Sequence, residues 1–309
     1  MVEFTRRQAL ACIAAAAQEP TFTASVTLVR VDAEVLADGR LVEGLTAADF
    51  EVLDEGRPQP VRTVARELEP LDIVLLFDIS GSMQWVAQKV AEGAERALAA
   101  LREGDRAAVM TFHTWQELVE PLTGEIPHVV EAVRLKVLRS RFGGGTYLTA
   151  AAGEAVKVLA GAEGGRRRAV IALTDNRGAP SRREDRILRE YWEADALLCG
   201  IITLQDPRQL AAWNSRIIGP QPAVPEQGLA GLIQQTGGSM VTTDEPAGAL
   251  EEMVLRLRSR YTLYYAMPAG AVAGRARKVH VRLRGEAAAK YPNAVIRARG
   301  GYVAPRAVE

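Results

Sequence analysis

The middle of the chain alternates between two hydrophobic patterns. Short apolar runs predict buried strands, and these runs lie at residues 72–78, 106–112, 168–174, 197–203 and 240–242. Apolar residues spaced three and four apart predict helices at residues 84–101, 127–138, 147–159, 181–194, 229–236 and 247–259. A short hairpin strand is also expected at residues 117–122. This alternation is typical of an α/β domain with a mainly parallel sheet and helices on both faces.

The two ends of the chain show strand patterns instead. Before the α/β block, apolar and polar residues alternate over residues 25–35, and two further strands are predicted at residues 50–53 and 61–68. Between them, residues 46–50 resemble a short capped turn of helix. After the block, strands are predicted at residues 261–266, 278–284 and 295–299.

Neither flanking group is large enough to bury a core alone. We therefore expect them to pair into one smaller, discontinuous β-sandwich, formed by residues 24–69 and 260–304, with the α/β domain inserted as residues 71–259. Such insertion is tolerated when the termini of the inserted domain lie close together.

Composition removes several functional classes. The chain has 309 residues, with 38 Lys and Arg against 38 Asp and Glu, so no overall charge attracts nucleic acid. The two cysteines exclude a disulfide scaffold, and Cys199 lies in an apolar run that predicts a buried free thiol. The basic run at residues 166–168 is expected to be a solvated loop, because charge runs are mostly exposed.

The first twenty residues have the order of an export signal. Arg6 and Arg7 precede an alanine-rich apolar stretch at residues 9–17, and a polar break follows. The paired arginines loosely resemble a twin-arginine signal, so we expect residues 1–20 to be a Tat- or Sec-type signal or a tail. The apolar stretch is too short to span a bilayer, and no other transmembrane candidate is seen. The predicted location is the periplasm, the cell envelope or the extracellular space.

Oxygen-bearing side chains follow three of the predicted elements. The strand at residues 72–78 ends at Asp78, and Ser80 and Ser82 come next. Thr146 follows three glycines just before a helix, and Asp175 follows the strand at residues 168–174. Because ligands bind beyond the carboxyl ends of parallel strands, we expect two carboxylates and three hydroxyls to meet on one rim.

This set of donors predicts a site for a hard divalent cation. Oxygen ligands alone fit Mg²⁺ or Mn²⁺ rather than Zn²⁺, which would draw His or Cys. Mg²⁺ keeps part of its shell as water, so one position can be given to the carboxylate of a partner. The competing interpretation is that Ser80 is an ordinary helix cap, which is common after a strand.

The stretches DISGS, GGGT and LTD resemble the metal-ion-dependent adhesion site (MIDAS) of von Willebrand factor type A (VWA) domains. The resemblance covers residues 71–259 and implies a Rossmann-like domain that binds another protein through a divalent cation, in adhesion or as a scaffold. It also implies that Ser80, Ser82 and Thr146 are metal ligands through their hydroxyls, with Asp78 and Asp175 acting directly or through water. Residues of the surrounding loops would then contact the partner, namely Gly144, Gly145, Asn176 and Arg177.

The flanking segments carry a narrower resemblance. GLTAADFEVLDEGRPQPV before the domain and RKVHVRLR after it are similar to bacterial VWFA-related Acidobacterial domain proteins. One departure is that Asn176 and Arg177 follow Asp175, where many relatives have Gly or Asp. Arg177 would add a cation beside the metal, which bears on the choice of partner.

Enzymatic alternatives lack their key residues. A phosphoryl-transfer site of the haloacid dehalogenase type needs an acid at position 80, which is Ser80. No Gly-x-Ser-x-Gly motif, dinucleotide fingerprint or Gly-Lys-Ser/Thr loop follows the strands. We therefore expect no enzyme activity. A structural envelope protein with a vestigial or stabilising metal site remains the alternative, and a hydrolase is a distant third.

Overall fold

The computed structural model describes residues 27–66, 69–161, 165–178, 183–204 and 228–305. The predicted export signal and Cys12 lie outside these residues. The strands are β1 (Leu28–Ala37), β2 (Arg40–Leu41), β3 (Phe50–Asp54), β4 (Arg57–Gln59), β5 (Val61–Arg66), β6 (Leu71–Asp78), β7 (Arg106–Phe112), β8 (Gln116–Thr123), β9 (Arg167–Thr174), β10 (Ala196–Thr203), β11 (Met240–Thr243), β12 (Tyr261–Ala266), β13 (Ala276–Leu283), β14 (Val295–Ala298) and β15 (Gly301–Val303). The α-helices are α1 (Ala87–Ala99), α2 (Ile126–Ala132), α3 (Leu148–Ala160), α4 (Glu184–Ala194), α5 (Ala230–Thr236), α6 (Pro246–Arg258) and α7 (Gly285–Lys290).

The central sheet confirms the predicted mainly parallel architecture. Its strand order is β11-β10-β9-β6-β7-β8, and only the edge strand β8 runs antiparallel to its neighbour. Strand β6 is buried at every position, as its unbroken apolar run requires in a sheet that is covered on both faces.

Helices cover both faces of this sheet. Helices α1, α2 and α6 enclose one apolar core, in which Leu75 and Phe77 meet Val90 and Leu250. Helices α3, α4 and α5 enclose the other core, in which Val74 and Leu76 of the same strand are buried. Alternate residues of β6 thus contribute to opposite cores, because successive side chains of a strand point to opposite faces.

The flanking strands form a second, smaller β-structure with its own core. Strand β1 pairs antiparallel with β12, which joins the two ends of the chain in the sheet β14-β1-β12-β5. A second sheet has the order β15-β13-β3-β4. Both sheets contribute to one buried cluster that includes Val31, Phe50 and Leu263. The inference that the two flanks pair around the α/β block is therefore confirmed.

Some elements were not predicted or differ in detail. Strands β4 and β15 have three residues each, too few for a visible alternation, and β4 contains Pro58. The predicted helix at residues 84–101 begins earlier, as a 3₁₀ turn over Gly81–Val86. The helix predicted at residues 127–138 ends as a π-helical turn over Val133–Val137.

The basic run at residues 166–168 is not a solvated loop, and that prediction was wrong. Arg167 is buried between the two domains, where its guanidinium donates to the carbonyl of Arg258 at 3.0 Å and to Oγ1 of Thr262 at 2.7 Å. Its Nε lies 3.4 Å from Oδ2 of Asp32 on β1. Burial alone would raise the pKa of Asp32, but Arg30 and Arg167 hold it well below its ordinary value. Charge pairing explains why Arg167 can be buried, since buried charges need a partner.

A second buried polar group joins the domains near the edge of the sheet. The Glu34 carboxylate on β1 accepts from the hydroxyl of Ser239 at 2.7 Å and from Arg297 at 3.0 Å. Arg260 is fully buried and donates to the carbonyls of Gly237 and Arg297. Helix α5 ends before Gly237, which has the left-handed conformation that glycine favours at the end of a helix.

Of the helices in the described part of the chain, none has the length and apolar character that a membrane span requires.

Candidate metal site

The predicted site residues lie where the strand order of the sheet reverses. From β6 the chain continues to β7 on one side of the sheet, and later returns to β9 on the other side of β6. Asp78 ends β6, and Asp175 directly follows β9. In open α/β sheets ligands bind in the crevice beyond such a reversal, because the loops diverge there to opposite faces.

Asp78 is held in place by two hydrogen bonds. The side chain is 3% exposed, and its Oδ1 accepts the backbone N–H of Ser80 at 2.8 Å. Its Oδ2 accepts the hydroxyl of Thr174, the last residue of β9, at 2.6 Å. The carboxylate therefore joins the ends of the two strands that flank the crevice.

Ser80 is not a helix cap. It occupies the N-cap position of the 3₁₀ turn, yet its side chain makes no capping hydrogen bond. The hydroxyl instead lies 3.2 Å from the hydroxyl of Ser82. The two oxygens thus face each other beside Asp78, as two ligands of one cation would.

The glycine loop that carries Thr146 is fixed against both neighbouring loops. The N–H of Gly143 donates to the carbonyl of Ile79 at 3.1 Å, which joins this loop to the one after β6. On the other side, a Cβ placed on Gly178 would lie 3.2 Å from the carbonyl oxygen of Thr146. Gly144 has φ +79°, a left-handed conformation that favours glycine. The loops of Ser80, Thr146 and Asp175 therefore meet on one rim.

Asp175 has a buried side-chain oxygen that a bound cation would satisfy. Its Oδ1 accepts the backbone N–H of Arg177 at 3.2 Å. Its Oδ2 is buried and has no hydrogen-bond partner among the described residues. A buried carboxylate oxygen without a donor is unfavourable unless something positive lies against it.

The other predicted rim residues have different roles. Asn176 has φ +60°, and its Oδ1 accepts the backbone N–H of Leu229 at 2.9 Å, so its side chain anchors the start of α5. Gly144, Gly145 and Arg177 are exposed around the site, where a partner could contact them.

Electrostatics at the site favour an added positive charge. Burial raises the pKa of Asp78 to about 6, against the hydrogen bonds from Ser80 and Thr174, and the nearby carboxylate of Asp175 raises it further. The same features that raise this pKa make the site attractive to a divalent cation.

The residues present fit such a cation. They combine two carboxylates with three hydroxyls, a donor set that suits Mg²⁺ or Mn²⁺. No group of three or more His, Cys, Asp or Glu side chains that could hold a metal occurs within the described ranges, so the hydroxyls are essential to this interpretation.

Comparison with known proteins assigns this part of the chain. Residues 73–178 match the family model of the von Willebrand factor type A domain, and they include Asp78, Thr146 and Asp175. The chain contains a von Willebrand factor type A domain. None of the curated proteins compared with the chain matches it. The narrower resemblance to VWFA-related Acidobacterial domain proteins stays a prediction.

Solved structures resemble this VWA-containing chain at low sequence identity. BatB from Bacteroides thetaiotaomicron is 15% identical with a TM-score of 0.47, over 60% of this chain and 97% of that one. A von Willebrand factor type A protein from Catenulispora acidiphila is 14% identical with a TM-score of 0.46, over 93% and 76%. Proximal thread matrix protein 1 from the mussel byssus, solved with a zinc-occupied MIDAS motif, is 17% identical with a TM-score of 0.45, over 61% and 47%. None of these likenesses is close enough to carry a function to this chain.

Two residues that position the VWA site through hydrogen bonds were not predicted from the sequence. Thr174 was treated as the end of a strand, although its hydroxyl positions Asp78 from 96 residues away. Thr114, in the turn between β7 and β8, accepts the N–H of Gly145 at 3.2 Å. A threonine in an otherwise apolar buried strand was the available signal for Thr174, whereas no local pattern marks Thr114.

Proposed function

We propose that the chain is a divalent-metal-dependent protein-binding module that acts in adhesion or as a scaffold. Ser80, Ser82 and Thr146 would hold Mg²⁺ or Mn²⁺ through their hydroxyls, with Asp78 and Asp175 acting directly or through water. The bound cation would supply an electrophilic position that takes an Asp or Glu carboxylate of the partner. The buried, unpartnered Oδ2 of Asp175 is the observation that carries this proposal.

Neutral ligands explain why a partner carboxylate would be attracted. Hydroxyls satisfy the coordination of a cation without cancelling its charge, so the charge remains available to an incoming anion. Both oxygens of Asp78 accept hydrogen bonds, from Ser80 and Thr174, which limits how far this carboxylate could turn to neutralise the cation. The exposed glycine loop leaves the approach to Thr146 open on its outer side.

We also propose that the site binds without catalysing a reaction. Catalysis of group transfer would need a positioned general acid, or a nucleophile with a base. The nearest imidazole, His113, accepts the N–H of Thr114 at 2.6 Å through Nδ1 and packs against Trp115. It is therefore engaged in the loop rather than paired with a serine of the site.

Calorimetric titration tests the metal half of the proposal. The chelator-treated full chain is titrated with Mg²⁺ and with Mn²⁺, beside Asp78→Ala and a matched control, Asp185→Ala, which removes an exposed carboxylate on α4. We expect saturable one-site heat from the wild type and from the control, and none from Asp78→Ala. Equal heats from the wild type and Asp78→Ala, with both shown to be folded by circular dichroism, would contradict the proposal.

One observation favours a second candidate, a structural protein with a metal site that only stabilises the fold. Both oxygens of Asp78 have hydrogen-bond donors within the protein, so this carboxylate is satisfied without a cation. A pull-down from envelope extract separates the two candidates. If partner proteins are captured with Mg²⁺ and lost with chelator, the binding module is supported. If the captured proteins are the same with and without chelator, the structural role is supported.

Export to the envelope or beyond is part of the proposal and rests on the sequence of residues 1–20. Cell fractionation tests it, with the expected result that the protein leaves the cytoplasm and that Arg6→Lys together with Arg7→Lys retains it if the twin-arginine route is used.

A further inference from the structure

Two exposed aromatic side chains lie beside the candidate metal site. Trp115, in the turn between β7 and β8, is 64% exposed, and Tyr147, the residue after Thr146, is 49% exposed. The rings of Trp115 and His113 contact each other with centroids 4.2 Å apart. We call His113, Trp115 and Tyr147 the aromatic shelf.

Hydrogen bonds hold the shelf in a fixed position relative to Thr146. The N–H of Tyr147 donates to the carbonyl of His113 at 3.1 Å, and the N–H of Gly145 donates to Oγ1 of Thr114 at 3.2 Å. Gly144 packs so closely that a Cβ on it would lie 3.2 Å from Nδ1 of His113. The two loops that carry the shelf are thus joined by hydrogen bonds, so a partner would have to order only the side chains.

Trp115 is the most exposed of the large apolar side chains in the described part of the chain, and it shares one rim with Tyr147. Aromatic residues are enriched at the centres of protein interfaces, where a few of them contribute most of the binding energy. Trp115 belongs to none of the buried apolar clusters of the described residues, and its ring packs against His113.

We propose that the aromatic shelf selects partners in which the metal-binding carboxylate is directly followed or preceded by an aromatic residue. This inference rests on the proposed function of the metal site. Thr146 and Tyr147 are consecutive, so their Cα atoms are separated by about 3.8 Å. A partner side chain that packs on Tyr147 therefore belongs to the residue directly before or after the one that supplies the carboxylate.

Charge around the site adds to the chemistry of the partner. Arg141 is exposed at the start of the loop that carries Thr146, and Arg177 is exposed on the loop after β9. Neither side chain forms an ion pair with another described residue. Guanidinium groups at the rim of a site attract acidic partners and suppress basic ones. The expected partner is an acidic, extended protein segment with an aromatic residue beside its coordinating Asp or Glu.

Selection from a phage-displayed library of random decapeptides tests this inference. Peptides are bound to the full chain in Mg²⁺ and eluted with chelator, and the enriched peptides are then measured against wild type and variants. We expect enrichment of Asp or Glu next to Phe, Tyr or Trp. We also expect Trp115→Ala to weaken these peptides at least about tenfold, which corresponds to about 1.4 kcal/mol.

Two variants keep the result interpretable. Leu118→Ala removes an exposed apolar side chain from strand β8 of the same hairpin and should bind the peptides like the wild type. Trp115→Phe keeps an aromatic ring and should retain most of the affinity. Calorimetry with Mg²⁺ should give the same heat for Trp115→Ala as for the wild type.

The outcomes separate this inference from the proposed function. The proposed role of the aromatic shelf would be contradicted if the chelator-eluted peptides had an acid with no aromatic neighbour. It would also be contradicted if they bound Trp115→Ala as tightly as the wild type. Either result would still support metal-dependent binding. If the library yields no chelator-eluted peptides, or the wild type binds no Mg²⁺, both are overturned.

Discussion

The hydroxyl of Thr174 donates a hydrogen bond of 2.6 Å to Oδ2 of Asp78 and joins the ends of the two strands that flank the crevice. The same oxygen of Thr174 accepts the backbone N–H of Asn176 at 3.0 Å. One buried hydroxyl thereby fixes the first carboxylate of the candidate site and the loop that carries the second.

Replacing Thr174 by Val should disrupt this arrangement while keeping the shape of the side chain. The buried carboxylate of Asp78 and the N–H of Asn176 each lose a partner, which should reduce the free energy of unfolding by about 1–3 kcal/mol. Urea denaturation in chelator measures the change. Thr174→Ser keeps the hydroxyl and should recover most of the loss, and a Val variant as stable as the wild type would show that the bond contributes nothing.

In the absence of metal, the pH dependence of the free energy of unfolding should show the raised pKa of Asp78. Burial raises the pKa of this carboxyl from 3.8 to about 6, so between these pH values the folded protein binds more protons than the unfolded chain. The stability that Asp78 contributes therefore falls as pH rises through this window. A difference of about two pKa units lowers the free energy of unfolding by about 3 kcal/mol at neutral pH.

The variant Asp78→Asn tests directly whether the charged form of Asp78 destabilises the fold. In chelator at pH 7.5 the amide should make the protein more stable than the wild type by up to about 3 kcal/mol, because it removes a buried charge. At pH 4 the wild-type carboxyl is protonated and the difference should vanish. Denaturant unfolding at the two pH values checks the prediction, and a variant less stable than the wild type at pH 7.5 would contradict it.

Two adjacent glycines of the loop before Thr146 should differ in their tolerance of alanine. Gly144 has φ +79°, and a Cβ there would lie 2.8 Å from Oγ1 of Thr114. Gly145 has no atom within 4 Å of such a Cβ. Gly144→Ala should reduce the free energy of unfolding by about 1–3 kcal/mol, and Gly145→Ala should be close to neutral. Thermal unfolding of both variants compares them, and equal melting temperatures would argue against the described loop geometry.

Arg167 should be essential for the junction between the two domains. Arg167→Met leaves Asp32 with less compensation and removes the donors to the carbonyls of Arg258 and Arg260, so about 3–5 kcal/mol of stability should be lost. The control Arg186→Met breaks an exposed pair with Glu190 on α4 and should change stability by about 0.5 kcal/mol or less. Urea unfolding measures both, and comparable effects of the two variants would contradict the role assigned to Arg167.

Much of the fold could be predicted because local pattern and final environment agree. Strand β6 is an unbroken apolar run and occupies the middle of a covered parallel sheet, where both faces are buried. Strand β13 alternates between apolar and basic residues, and the structure buries Val279 and Val281 while Lys278, His280 and Arg282 are exposed. Cys199 is a buried free thiol, and burial raises its pKa to about 11.

The remaining features depend on residues that are distant along the chain. Arg167 meets Asp32 across 135 residues, so the composition of the run at residues 166–168 could not show that its charge is paired. Thr174 meets Asp78 across 96 residues. For the candidate site, the residue types and their strand-end positions were visible in the sequence, whereas the unpartnered Oδ2 of Asp175 and the engaged side chain of Asn176 required the three-dimensional arrangement.

Crystals of the full chain grown with Mn²⁺ offer the most direct test of the central claim, that the rim at Asp78, Ser80, Ser82, Thr146 and Asp175 holds a divalent cation. Anomalous scattering locates manganese independently of any assumption about its ligands. We expect one peak with the hydroxyl oxygens of Ser80 and Ser82 at about 2.0–2.2 Å, near the distances that Mg²⁺ takes. Manganese bound only at exposed surface carboxylates, with none at this rim, would contradict the account.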